Sequence, residues 1–125
     1  MSEHFDLGNL RLLNDIEEFE VETDAAQEER DRRVVWVVVV GADPYVRSAN
    51  GQKGHWYREL IAKSVGAIYA DGRRIPFHAV PVSDAETLTQ VSEAYMRKYA
   101  QYPDDVAWLV SSEVLATTLR LEPRY

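Results

Sequence analysis

Val34-Val35-Trp36-Val37-Val38-Val39-Val40, followed by Gly41-Ala42-Asp43-Pro44 and then Tyr45-Val46-Arg47-Ser48, decides how the rest of the chain is read. A β-branched run of this kind predicts a central strand buried on both faces. The Gly-Ala-Asp-Pro segment predicts a turn. Residues 45–48 then form a short antiparallel partner, so the centre of the fold is a hairpin. Upstream, Glu18-Phe19-Glu20-Val21-Glu22 alternates with period two and predicts a half-buried strand. Residues 9–15, with Leu10, Leu12, Leu13 and Ile16, predict a short amphipathic helix, and residues 23–31 a charged loop.

Downstream, Asn50-Gly51 and Gly54 open a flexible turn before a helical pattern over residues 55–64, with Trp56, Leu60 and Ile61 on one stripe. Asp71-Gly72 between residues 66–70 and 73–80 is a strong hairpin signal. Pro76 and Pro81 move the second of those strands toward an edge or a bulge. Ser83 with Glu86 fits a capping box for a helix to about Tyr99, whose face carries Leu88, Val91, Tyr95 and Tyr99. Residues 102–115 read as a loop with one helical turn, and residues 116–121 as a last strand ended by Pro123. Six strands joined by hairpins, with only short helices, predict a mainly β chain: an antiparallel sheet curled into a small barrel.

A length of 125 residues suits a single domain (1–125), with residues 1–17 as an acidic helical segment ahead of the barrel. With no cysteine there can be no disulfide, thiolate metal site or cysteine nucleophile. His4, His55 and His78 lack ligand spacing, so no metal site is expected. Residues 1–30 carry ten acids and two bases, whereas the remainder is nearly balanced. No basic face large enough for nucleic acid follows from that distribution. The longest apolar run is too short to cross a bilayer, and no charged-then-apolar leader opens the sequence, so a cytoplasmic protein is expected.

The segment from Tyr45 to Arg58 is the candidate site. A strand delivers Arg47 and Ser48 into a loop holding Gly51, Lys53 and Gly54, which opens a helix at Trp56. Free backbone N–H groups and the positive end of the helix dipole would attract a phosphate or carboxylate there. The bland alternative is a turn glycine pair, a core Trp56 and an Arg47 paired with an acid. Arg30, Arg32 and Arg33 could reach the same barrel mouth or pair with Glu28, Glu29 and Asp31. Asp104 and Asp105 are expected to cap the turn that follows them. No catalytic acid, base or nucleophile is identified; Tyr45 and Tyr57 are the hydroxyls considered for proton transfer.

Val35-Trp36-Val37-Val38, Tyr45-Val46-Arg47-Ser48, Gly51, Gly54 and Trp56-Tyr57-Arg58 together resemble an uncharacterised bacterial DUF family grouped with the FMN-binding split barrels. Residues 116–124 resemble that family's closing strand, and the resemblance runs from about residue 19 to 124. It implies a six-stranded antiparallel split β-barrel with flanking helices, usually a homodimer, with a cofactor groove at the subunit interface. The wider group includes pyridoxamine-phosphate oxidases and deazaflavin-dependent nitroreductases. Ser48, Gly51 and Trp56 match the serine, glycine and tryptophan that lie near the deazaflavin there, with Arg47 and Gly54 beside them. Arg32 and Arg33 are the candidates for an arginine that holds the cofactor phosphate. The loop Asp24-Ala25-Ala26-Gln27-Glu28-Glu29-Arg30-Asp31 departs from the nitroreductase pattern of Ser-Gly, then Arg, then Pro. Two functions follow: an FMN- or deazaflavin-dependent oxidoreductase acting on a small molecule, or a non-enzymatic ligand-binding or dimeric scaffold protein that has lost the cofactor.

Overall fold

The computed structural model describes residues 4–23, 28 and 31–124. Helix α1 (Leu7–Asp15) precedes β1 (Phe19–Thr23), β2 (Arg33–Val35), β3 (Val37–Val40) and β4 (Asp43–Val46). A 3₁₀ turn (Gly51–Lys53) leads into α2 (His55–Lys63), then β5 (Val65–Ala70) and β6 (Arg73–Pro81). Helices α3 (Ala85–Lys98), α4 (Pro103–Leu109) and α5 (Ser112–Leu115) come before β7 (Leu119–Pro123). The seven strands form one antiparallel sheet in the order β2-β1-β5-β6-β7-β4-β3. No helix among the described residues is long and apolar enough to cross a membrane.

The sheet order explains the barrel. Its two end strands, β2 and β3, are consecutive in the chain and separated only by Trp36. A sheet whose opposite ends are covalently joined must curl back on itself, and the result is a mainly β, near-closed barrel. The expected single strand over residues 34–40 is therefore two, which is why the count is seven and not six. Its first half pairs with β1 (Val35 opposite Phe19) and its second with β4 (Val37 opposite Val46). The valine run is not central in the sheet: Val35, Val37 and Val38 are buried, Val39 and Val40 are half-buried and Val34 is exposed.

Other expectations shift for local reasons. The Asp71-Gly72 turn is present, with both residues at positive φ (51° and 75°), the geometry that joins tightly twisted strands. Strand β6, however, lies inside the sheet despite Pro76 and Pro81. A residue in an antiparallel ladder points its N–H and C=O toward the same neighbour. The Pro76 carbonyl accepts from Arg124, so its missing donor faces the side where β7 has already ended at Pro123. Ala79 donates to Ser64 on the β5 side, so Pro81 faces that side beyond the start of β5. Helix α3 is capped by Asp84, not Ser83: its carboxylate accepts from Thr87 N at 3.0 Å. Residues 103–115 form two helices too short for a period to be legible, the first with Pro103 at its start and Asp104 and Asp105 in its first turn.

Two apolar clusters hold these elements. One fills the barrel with Phe19, Val21, Ile68, Ile75, Phe77, Leu119 and Leu121, closed by Leu13 of α1 and Leu60 of α2. The other lies between the outer face of β3–β4 and helices α3 to α5, built on Val38, Tyr45, Val91, Tyr95, Tyr99 and Val114. The C-terminal end of α3 joins them. Lys98 Nζ donates to the Leu13 carbonyl at 2.8 Å and the Val37 carbonyl at 2.7 Å, above the Phe19 and Tyr99 rings. Tyr99 donates to the Glu17 carbonyl at 2.6 Å, and its ring lies parallel to Trp36 at 4.1 Å.

Burial pulls the Lys98 ammonium from its ordinary 10.5 down to about 8. A lysine harder to protonate in the fold than in the open chain makes the fold relatively more stable as pH rises from about 8 to 10.5. Lys98→Met removes this term. Urea unfolding at pH 7.5 and 9.5 is expected to show the wild type gaining about 2 kcal/mol relative to the variant over that interval.

Candidate functional site

The β3–β4 ladder ends at Val37 opposite Val46. Continued, it would set Arg47 and Ser48 against Trp36 and Val35, but the chain before Trp36 has crossed to β1. The barrel is split there, and the gap is a cleft of about 700 Å³. One wall is Val21 and Thr23 of β1 with residues 33–36, the opposite wall Arg47, Ala49 and Asn50. His55, Trp56 and Glu59 of α2 and Asp105, Trp108 and Leu109 of α4 complete it, with Asp31 at the rim. All three tryptophans of the chain line this one space.

Arg47 is the most constrained side chain of the site. It is 2% exposed, and its four hydrogen bonds reach three separate segments: α3, α4 and the entry to β7. Nε donates to Thr118 Oγ1 (2.8 Å), Nη1 to Ser92 Oγ (2.8 Å) and the Leu109 carbonyl (3.0 Å), and Nη2 to the Leu88 carbonyl (3.0 Å). Every partner is neutral, and no described carboxylate pairs with the guanidinium. Burial accordingly lowers its pKa from the ordinary 12.5, with the Tyr95 side chain partly offsetting the loss. Leu109 is the last residue of α4, so its carbonyl belongs to the negative end of that helix.

The seven residues singled out in the sequence separate into two groups of three, with Arg32 apart from both. Arg33, Arg47 and Trp56 line the cleft. Ser48, Gly51 and Gly54 build the turn behind it instead: Ser48 Oγ donates to the Gly51 carbonyl (2.8 Å), and its N–H to Thr117 Oγ1 (2.9 Å). Gly51 has φ +66°, and a Cβ on Gly54 would overlap Ser48 Oγ. Arg32 lies away from the cleft, with its guanidinium 3.5 Å from the Tyr69 ring centre and 3.7 Å from Glu20. Its Nε is the one buried side-chain polar atom without a hydrogen bond among the described residues. That outer-face group also holds buried Glu22, whose carboxyl burial alone would raise; hydrogen bonds from Arg74 and Tyr69 keep it below its ordinary value. The expected pairings of Arg32 and Arg33 with Glu28 and Asp31 give way to Glu20 for Arg32 and to the Arg32 carbonyl for Arg33. Arg30 and Glu29 lie outside the described residues.

Tyr45 and Tyr57 do not reach the cleft. Tyr45 is in the outer apolar cluster, and Tyr57 lines a shallow depression on the far side of α2; burial pushes both hydroxyls up. Helix α2 does open on the cleft. Its first bonded amide is Arg58, donating to Gly54, so the N–H groups of residues 55–57 have no helical acceptor and Gly54 offers no side-chain cap. Asn50 and His55 lie within the segment expected to form the site but were given no role there, and Trp36, Trp108, Asp105 and Glu59 were not placed at the site at all. The tryptophan count was a usable signal, because three such rings in so small a chain need partners or a ligand.

A mainly β split barrel with an aromatic cleft at the split is thus the class of protein defined here. The profile of DUF2255, described as an uncharacterized protein conserved in bacteria, matches residues 9–121, and the chain belongs to that family. Among solved structures it is similar to the conserved hypothetical protein Rv2991 from Mycobacterium tuberculosis, with TM-score 0.66 and 15% identity over 98% of this chain and 83% of that one. That likeness is one of fold. A protein described as an F420 reductase gives TM-score 0.49 and 13% identity, covering 96% of this chain and 94% of the other. The sequence has no match among curated proteins.

Arg47→Lys keeps the charge but cannot satisfy acceptors lying around a planar fork. It is expected to cost about 2–3 kcal/mol in chemical denaturation, because buried and part-buried acceptors on α3, α4 and the entry to β7 lose their donors.

Proposed function

We propose that the cleft binds a planar, anion-bearing cofactor of the flavin or deazaflavin class, and that the protein is an oxidoreductase acting on a small molecule. The observation that carries this reading is the convergence of all three tryptophans on one cleft of about 700 Å³. That volume lies within the range of ligand sites, and indole faces offer stacking area to a flat ring. The donor set fits an anion: Arg47 is a buried cation with no carboxylate partner, Arg33 lies at the rim, and the uncapped start of α2 adds backbone N–H groups. The bound cofactor would supply hydride or electron transfer. Around it, the chain would orient the ring between its aromatic walls and exclude water.

A homodimer belongs to the same proposal. The cleft opens beside Val34 on the free edge of β2 and Trp108 of α4, 57% and 43% exposed, and a second copy seated there would close it. The second reading, a scaffold or ligand-binding protein without the cofactor, is favoured by a different observation. Arg47 and Ser48 spend most of their donors inside the protein, while Asp31, Glu59 and Asp105 bring negative charge to the lining.

Titration of the purified protein with FMN and with a deazaflavin separates the two. The expected outcome is saturable quenching of tryptophan emission with Kd in the micromolar range, weakened about tenfold or more in Trp56→Ala by loss of stacking area. If neither compound quenches at tens of micromolar, the scaffold reading is the one that stands.

A further inference from the structure

We infer that Glu59 is the residue that selects the ring, accepting a hydrogen bond from the imide N–H on the pyrimidine edge of a bound flavin or deazaflavin; this rests on the cofactor reading above. With 3.6 residues per turn, positions 55, 56 and 59 share one face of α2, and all three line the cleft. Trp56 and Glu59 thus stand one turn apart, a flat apolar surface beside a carboxyl group.

The carboxyl group is held in place. Thr23 at the end of β1 is 2% exposed, and its hydroxyl donates to Glu59 Oε1 at 2.8 Å. A threonine hydroxyl has one hydrogen, so that bond consumes its donor and fixes the glutamate against the sheet. Oε2 has no hydrogen-bond partner among the described residues. Glu59 is half-buried and lines the cleft, where an ionised carboxylate oxygen can only accept, and leaving it unpaired beneath a ligand is costly. The ligand edge that meets it must therefore carry a donor.

Flavins and deazaflavins share such an edge, an imide N–H flanked by two carbonyls, and the redox-active part of the ring lies away from it. Glu59 is on this account a recognition residue and not a catalytic one. The uncapped start of α2 and Arg33, away from Glu59, would hold the anionic tail, since two negative groups repel. The same acceptor would refuse a ring whose imide nitrogen is alkylated, because a site built for an N–H donor discriminates strongly against its absence.

The test compares FMN, a deazaflavin and FMN methylated at the imide nitrogen on the wild type, Glu59→Gln and Thr23→Val, read by tryptophan quenching. Methylation is expected to weaken binding to the wild type about tenfold or more. Glu59→Gln should bind FMN about five- to tenfold more weakly and lose most of the methyl discrimination, with Thr23→Val between the two. Circular dichroism melting checks that each variant is folded; should one fail to fold, the methylated compound on the wild type decides alone. If FMN binds and its methylated form binds equally well, the assignment of Glu59 is overturned while the cofactor reading stands. If neither FMN nor the deazaflavin binds, the cofactor reading falls and this inference falls with it.

Discussion

A single residue, Trp36, hands the chain from one ladder to another. The three residues before it pair with β1 and the four after it pair with β4. Because those ladders lie at opposite ends of the sheet, the handover closes the barrel and in the same stroke leaves it split. Trp36 is held outside both ladders by other means: its carbonyl accepts from Tyr95 at 2.8 Å, and its ring stacks on Tyr99. The cleft is therefore not an indentation added to a finished barrel. It is the space that the ladder vacates when the chain changes partner.

Arg47 keeps that space from collapsing onto the helical layer. It stands where β4 leaves the sheet, and its bonds tie that point to α3, α4 and the entry to β7. A buried cation among neutral acceptors is costly, and natural chains keep one when its multiple donors fix several segments at once or when a charge arrives to meet it. Here the first role is visible in the bonds, and the second is open because no carboxylate occupies the place. Tyr95 beneath the guanidinium adds a polarisable face at 5.6 Å.

Much of the fold was legible from patterning. The alternation of residues 18–22, the Asp71-Gly72 turn and the stripe Val91, Tyr95, Tyr99 each lie where period and turn chemistry placed them. What escaped notice has physical causes. The break at Trp36 leaves no local signature, since valines on both sides have the same β preference and only pairing distinguishes them. The interior position of β6 contradicted its prolines, yet each proline faces a neighbour that has already ended. At the site, the sequence singled out one loop but could not separate residues that shape the turn, Ser48, Gly51 and Gly54, from those that line the cleft, Arg47 and Trp56. That separation depends on which way a side chain leaves the turn. Glu59 and Trp108 were invisible for a related reason: their partners, Thr23 and the Ala49 carbonyl, lie 36 and 59 residues away.

The bonds between α3 and the barrel end share a further property. Tyr95, Lys98 and Tyr99 donate to the carbonyls of Trp36, Leu13, Val37 and Glu17, all of them main-chain atoms. A carbonyl is present whatever side chain the position carries. Tolerance to substitution should therefore be lopsided across this contact. The donors are bound to their chemical identity, whereas the segment they grip can drift in sequence and still be held.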